Sequence, residues 1–325
     1  MKTVIIGASG HYHQAVDAAR SGLCAFPCAV APGSGNEDTR PLAEKLGIKE
    51  YSSYPDMLDE EKPEVAVVNP WFCLNAKISA ECLRRGIHVF SEKPLATELN
   101  DLKTLESVWR ESGKALGCML NLNCCAWFKT LENAVKNGEI GEVRTLHGQK
   151  SYRMGTRGAV YQKRADYGGM IPWVGVHAVD WVLRLGGKCE WVSAAQTTNA
   201  NRGNGEMESA AAALLGLENG VIGTVTADFL RPTASARHDD DRLRVTGTRG
   251  MIEAVDGKVY LENDRPRREL PLLPDENPFA RFLRTIGTEE GKALSLEALN
   301  DTRVCLLTRR AGDEGRVIRT DEICI

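Results

Sequence analysis

No apolar run in the 325 residues is long enough to cross a membrane; a spanning helix needs roughly 18–20 consecutive apolar residues. The first apolar run, Val4-Ile5-Ile6, is also too short for the core of a signal peptide, so a cytoplasmic protein is expected. Charge of one sign is not in excess either: 41 Lys and Arg face 44 Asp and Glu, a net charge of −3. Nucleic acids and anionic membranes call for a concentrated basic face, and the runs Arg84-Arg85 and Arg309-Arg310 are short enough to be solvated helix ends. Neither partner is expected. Ten cysteines are present, but none forms a pair of CxxC knuckles or stands with histidines at zinc spacing. Reduced thiols used as small hydrophobes, and no metal, are the expectation. Internal repeats and low-complexity segments are absent.

What is present is an ordinary globular composition, 42% hydrophobic and 26% charged, on a chain long enough for two domains. The first third alternates short apolar runs with helix-length amphipathic segments. Strands are predicted at Val4–Ile6, Cys28–Val30, Val65–Val68, His88–Phe90 and Ala115–Met119, with helices at Ala15–Arg20, Arg40–Leu46, Ile78–Arg85 and Glu98–Glu111. Continuous β-branched runs separated by helices indicate strands buried on both faces, hence a parallel doubly wound sheet.

After about residue 120 the rhythm changes. A helix at Trp127–Lys136 is followed by longer strands at Val143–Tyr152, Trp191–Thr197, Ala211–Leu217, Val221–Phe229, Leu243–Thr246, Met251–Ala254 and Lys258–Leu261. Asn219-Gly220 and Asp256-Gly257 are hairpin turns. Helices are expected at Pro172–Leu185, Phe279–Ile286 and Ser295–Arg310. The fold class is therefore α/β: an N-terminal Rossmann sheet over 1–120, then an α+β domain over 121–325 built on a mostly antiparallel open sheet.

The first strand runs into Gly7-Ala8-Ser9-Gly10-His11-Tyr12 before its helix. A glycine-rich turn at that place is where a pyrophosphate meets backbone N–H groups and the positive end of a helix. The match to GxGxxG is imperfect: Ser9 stands in the second glycine position and Tyr12 in the third, where it would hold the helix farther from the sheet. The acid that recognises a ribose is also missing from the end of the second strand, which reads Val30-Ala31-Pro32-Gly33-Ser34. No arginine stands directly there, although Arg40 is not far on, so NAD and NADP both stay open.

The segment Val89-Phe90-Ser91-Glu92-Lys93-Pro94-Leu95-Ala96, a strand ending in Glu-Lys-Pro, resembles the Gfo/Idh/MocA family (glucose–fructose oxidoreductase and inositol dehydrogenase relatives). Val67-Val68-Asn69-Pro70, Asn137-Gly138-Glu139-Ile140-Gly141, Gly168-Gly169 with Gly175-Val176-His177-Ala178-Val179-Asp180, and Arg242-Leu243-Arg244 with Gly247-Thr248-Arg249-Gly250 fit the same family in order. The resemblance implies an NAD(P)-dependent dehydrogenase or reductase. Lys93 would lie beside the nicotinamide and the reacting carbon, with the Lys93–Pro94 bond often cis in relatives, and His177 would be the acid/base. Asn69, Pro70, Trp71, Glu92 and the turn 7–12 would contact the cofactor. One departure stands out: relatives that oxidise sugars carry an aspartate four residues before the histidine, where this chain has Trp173. An indole there can stack on the apolar face of a sugar.

Strand alternation puts Lys150 and Tyr152 on one face, and position in relatives makes them substrate candidates beside Asn121 and Asn123. His238-Asp239-Asp240-Asp241 reads as a solvated turn rather than a metal site. Three functions stay open: hydride transfer between a nicotinamide and a secondary alcohol or ketone of a sugar, inositol or glycoside; cleavage of a glycoside through transient oxidation by a tethered NAD; and a non-catalytic sensor of dinucleotide or sugar. By resemblance a homodimer or homotetramer is expected, paired through the open face of the second sheet.

Overall fold

The structure, a computed structural model, describes residues 1–322. The chain divides into two compact units. The first comprises Met1–Asn121, Ala165–Gly168 and Glu276–Thr302, and the second Leu122–Arg164, Gly169–Asp275 and Arg303 onward.

In the first unit six strands, β1 (Thr3–Ile6), β2 (Ala29–Ala31), β3 (Lys49–Glu50), β4 (Val65–Val68), β5 (His88–Ser91) and β6 (Leu116–Cys118), form one sheet in the order β3-β2-β1-β4-β5-β6. Every pair is parallel. Parallel strands need crossover helices, and those helices cover both faces, so Val4, Ile5, Val30, Val65 and Val67 are all fully buried. The order reverses between β1 and β4, which makes their carboxyl ends the switch point where such sheets bind ligands.

The core of this unit joins Ile5, Val30, Val67 and Phe90 to Phe279 and Phe282, residues almost two hundred positions farther on. Both latter rings lie 5.3 Å from that of Phe90, and helix Pro278–Thr285 carries them. A Cβ on Gly117 would come within 2.5 Å of the Phe282 ring, so the strand beneath it carries no side chain. Among the elements that escaped the sequence reading are β3, two exposed charged residues without an apolar signal, and helix Tyr54–Glu61, only eight residues long.

In the second unit the strands are β7 (Val143–Arg153), β8 (Cys189–Thr197), β9 (Ala210–Leu217), β10 (Ile222–Arg231), β11 (Asp239–Gly247), β12 (Met251–Val255), β13 (Lys258–Glu262), β14 (Arg268–Glu269) and β15 (Ile318–Arg319). They make a nine-stranded sheet in the order β14-β13-β12-β11-β7-β10-β9-β8-β15, in which only β7 and β10 pair in parallel. Asn219 (φ 58°) and Asp256 (φ 53°) take the left-handed conformation at the β9–β10 and β12–β13 turns, as tight hairpins demand.

One face of this sheet is covered by helix Val176–Gly186: Ala178 packs on Gly148, and a Cβ on Gly223 would come within 2.5 Å of Val182. The predicted helix 172–185 is divided, Ile171–Gly175 winding as a single π-type turn before the α-helix begins. Pro172 lies in its first turn, where a backbone N–H has no intrahelical acceptor to lose. On the other face Leu214, Ile222 and Leu230 are exposed.

None of the nine described cysteines is joined to another in a disulfide, and Cys324 lies outside the described residues. Burial pushes the Cys82 and Cys189 thiols up to about 12. No described helix is long and apolar enough to cross a membrane.

Candidate active site

At the β1/β4 switch point the backbone knits three strand ends together. Gly7 N–H donates to the Ala31 carbonyl at 2.8 Å, Asn69 N–H to Ile6 at 2.6 Å, and Ser9 N–H to Asn69 at 2.9 Å. Gly7 has φ +79°, and a Cβ there would fall 2.3 Å from the Asn69 oxygen, so both the angle and the space demand glycine. Gly10 provides a second close approach, because a Cβ on it would lie 2.2 Å from a carboxylate oxygen of Glu92. Tyr12, in the third fingerprint position, leans on the hydrophobic core.

Glu92 is fully buried at the end of β5. Its carboxylate accepts the His11 N–H at 2.6 Å and faces His11 Nδ1 at 2.8 and 2.9 Å. Burial pushes this carboxyl up, but the neighbouring His11, its hydrogen bonds and the Lys93 charge outweigh burial and hold it below the usual glutamate range. The Asn75 side-chain amide donates to the carbonyls of Glu92 (3.0 Å) and Pro94 (2.9 Å), fixing the backbone on either side of Lys93. The Lys93–Pro94 bond is cis, and Lys93 is 4% exposed.

Pro70 is buried and Trp71 half-buried at the end of β4. Between this strand end and the turn, both polar atoms of the buried Asn69 amide lack a partner. A buried amide left so costs about 1–3 kcal/mol, which a polar ligand at the turn would recover. The turn's N–H groups, the glycine close approaches and this open amide suit a dinucleotide.

In the second unit Lys150 sits mid-strand on β7, 1% exposed, with its ammonium 2.5 and 2.6 Å from the two carboxylate oxygens of Asp241 on β11. The register sets Asp241 directly opposite Lys150. The ammonium also lies 4.7 Å from the Tyr152 ring and 5.5 Å from the Trp181 ring. Burial works against the charged lysine, but Tyr152 and Asp241 together raise its pKa, while burial raises that of Asp241. This corrects the reading of His238–Asp241 as a solvated turn. From Asp239 on it is strand, and alternation turns Asp241 inward to Lys150 while Asp240 pairs outward with Arg242.

Tyr152 stacks on His238 (5.0 Å) and Phe229 (6.2 Å), and Phe229 in turn lies 5.5 Å from Trp173. Trp173 also packs against Tyr161 at 4.5 Å. Over these rings lies the Arg157 guanidinium, 4.4 Å from Phe229 and 5.4 Å from Trp173. Burial lowers its pKa. Arg157 and Asp241 escaped the sequence reading, since neither belongs to a local motif.

His177 is buried (3% exposed) in helix Val176–Gly186. On the same helix the Asp180 carboxylate accepts Arg184 Nε at 2.7 Å and the Asn123 amide at 3.3 Å. Asn123 is thereby tied to the helix, while Asn121 is half-buried in the 3₁₀ turn Asn121–Cys124. Lys93 belongs to the first unit and His177 to the second.

Two family models match this chain. Residues 1–120 match a model described as an oxidoreductase family with an NAD-binding Rossmann fold, and residues 128–253 match the GFO/IDH/MocA C-terminal domain. A solved Thermotoga maritima structure, described as an oxidoreductase, is 35% identical with a TM-score of 0.92, covering 98% of this chain and all of the other. The 1,5-anhydro-D-fructose reductase of Ensifer adhaerens is 24% identical over 70% of this chain and 69% of its own length. Glycosyl hydrolase family 109 protein 2 of Akkermansia muciniphila is 31% identical over 34% of this chain, a match spanning only 23% of that protein.

Proposed function

We propose, because this chain belongs to the Gfo/Idh/MocA family of oxidoreductases, that it moves a hydride between a nicotinamide dinucleotide and a secondary alcohol or ketone of a sugar, inositol or glycoside. The observation that carries this reading is the cluster at the β1/β4 switch point. Gly7, Gly10, Glu92 and the open Asn69 amide are gathered there, next to the buried Lys93. We assign dinucleotide binding to the first unit, through residues 7–12, Asn69, Pro70, Trp71 and Glu92, and most of substrate recognition to the second.

A nicotinamide held there would supply the acceptor for the hydride that leaves the carbinol carbon. The protein's share is the proton. As the carbonyl forms, the hydroxyl gives up its proton, and Lys93 and His177 are the groups assigned to take it or to hold the oxygen; the reverse direction returns it. Asn75 acts at one remove, fixing the backbone that carries Lys93. Lys150, Tyr152, Trp173, Asn121 and Asn123 are assigned to the substrate, with the Trp173 indole offering an apolar face to a sugar ring.

The test is to present the protein and NAD or NADP with sugars, cyclic polyols and glycosides, following reduced nicotinamide and products together. Reduced nicotinamide in step with a ketone supports the reading. A second reading is favoured by the match to a glycosyl hydrolase: transient oxidation by a retained NAD, then cleavage of the glycoside and return of the hydride. Free sugar without net reduced nicotinamide would select it.

We also infer that the chain pairs with itself, as a dimer or tetramer, through the sheet face bearing Leu214 and Ile222, which are 39% and 46% exposed. Light scattering on the protein and on Leu214→Glu checks this: a smaller assembly in the variant is expected, and a monomeric parent protein would refute it.

A further inference from the structure

We infer that Glu37 supplies the ribose-facing carboxylate missing from the end of β2, and that the site therefore selects NAD over NADP; this rests on the dinucleotide reading above. Strand β2 ends at Ala31 and continues into Pro32-Gly33-Ser34, none of them acidic. The chain then turns back, and Glu37 reaches the same place from six residues beyond the strand. One of its carboxylate oxygens accepts the Ser9 hydroxyl at 2.9 Å, and the other accepts the Gly33 N–H at 2.8 Å.

The carboxylate thus bridges the glycine-rich turn and the backbone just past β2. Dinucleotide-binding sheets hold at that place the acid that bonds the ribose 2′-hydroxyl. The space is kept clear for it: a Cβ on Gly33 would lie 2.9 Å from the Glu37 carboxylate and 2.4 Å from Pro70.

Two departures from the fingerprint then explain each other. Ser9 replaces the second glycine, and its hydroxyl is the donor that holds an acid arriving from farther along the chain. A 2′-phosphate would meet this fixed negative group. The arginine nearest in sequence does not offset it, because Arg40 is mostly exposed and turns to Glu50 at 3.9 Å.

Titration of the full-length protein with NADH and NADPH, read by nicotinamide fluorescence, tests the inference. NADH should bind at least about tenfold more tightly. In Glu37→Gln, which keeps an acceptor for Gly33 N–H, the ratio should fall about tenfold, chiefly because NADPH binds better. In Ser9→Ala, which frees the carboxylate without removing it, the ratio should fall less. Equal affinities in the parent protein overturn the inference alone, as does an unchanged ratio or a parallel loss of both nucleotides in Glu37→Gln. Binding of neither nucleotide to the parent protein, at millimolar concentration, brings down the dinucleotide reading and this inference with it.

Discussion

Each unit buries a charge in its sheet, and the two solve the problem differently. In the first, Glu92 stands at a strand end and is satisfied by its immediate surroundings: a backbone N–H and an imidazole from one residue of the neighbouring turn. In the second, Lys150 stands mid-strand and is satisfied by one oppositely charged residue across a strand pair, with aromatic rings on either side. The first arrangement divides its stabilisation between a backbone N–H and an imidazole, so it tolerates the loss of charge. The second concentrates it in one pair, so removing either partner strands the other in a low-dielectric interior. The strand end is suited to chemistry, the mid-strand pair to holding one register.

The comparison can be broken in order of effect. Lys93→Met, next to the strand-end charge, should lower kcat by about 10²–10⁴-fold while NADH affinity changes little; steady-state kinetics beside a binding titration check this. Loss of binding in parallel with rate would make Lys93 a structural residue. Lys150→Met should cost about 3–5 kcal/mol in denaturant unfolding because Asp241 is left buried and unpaired. Adding Asp241→Leu should recover most of that, and a double variant as weak as the single would deny that the pair is the cause.

Phe282→Ala should cost about 3–5 kcal/mol by opening a cavity against Phe90. A cost below 1 kcal/mol by the same unfolding measurement would show that the first unit's core does without its late helix.

Glu92→Gln should cost least, about 1–3 kcal/mol near neutral pH, and its signature is in acid. The folded pKa of Glu92 lies below the ordinary value, so its contribution is present above about pH 4.3 and is lost as pH falls through the folded value. Unfolding midpoints followed downward from pH 6 should fall more steeply in the parent protein than in Glu92→Gln. Parallel curves would contradict the assignment.

The same contrast explains what the amino-acid sequence made legible. Gly7, Asn69-Pro70 and Glu92-Lys93-Pro94 each lie where an apolar run stops, and the six-stranded parallel sheet follows from those runs and the helices between them. The pairing of Asp241 with Lys150 depends on a register set across 91 residues, which no local pattern encodes. Read alone, His238-Asp239-Asp240-Asp241 is polar enough to pass for a turn; only the strand opposite shows which aspartate points inward. Glu37 was hidden for a related reason, since the group it meets, Ser9, lies 28 residues away in the chain.

Hydride transfer is tested most directly with label. The protein would be given NADH or NADPH deuterated at the transferring carbon, together with a panel of keto-sugars and cyclic polyol ketones, and the products weighed by mass spectrometry. The account predicts an alcohol carrying one deuterium at a secondary carbinol carbon, lost in Lys93→Met. Bound nucleotide whose deuterium reaches no product across the panel would contradict it.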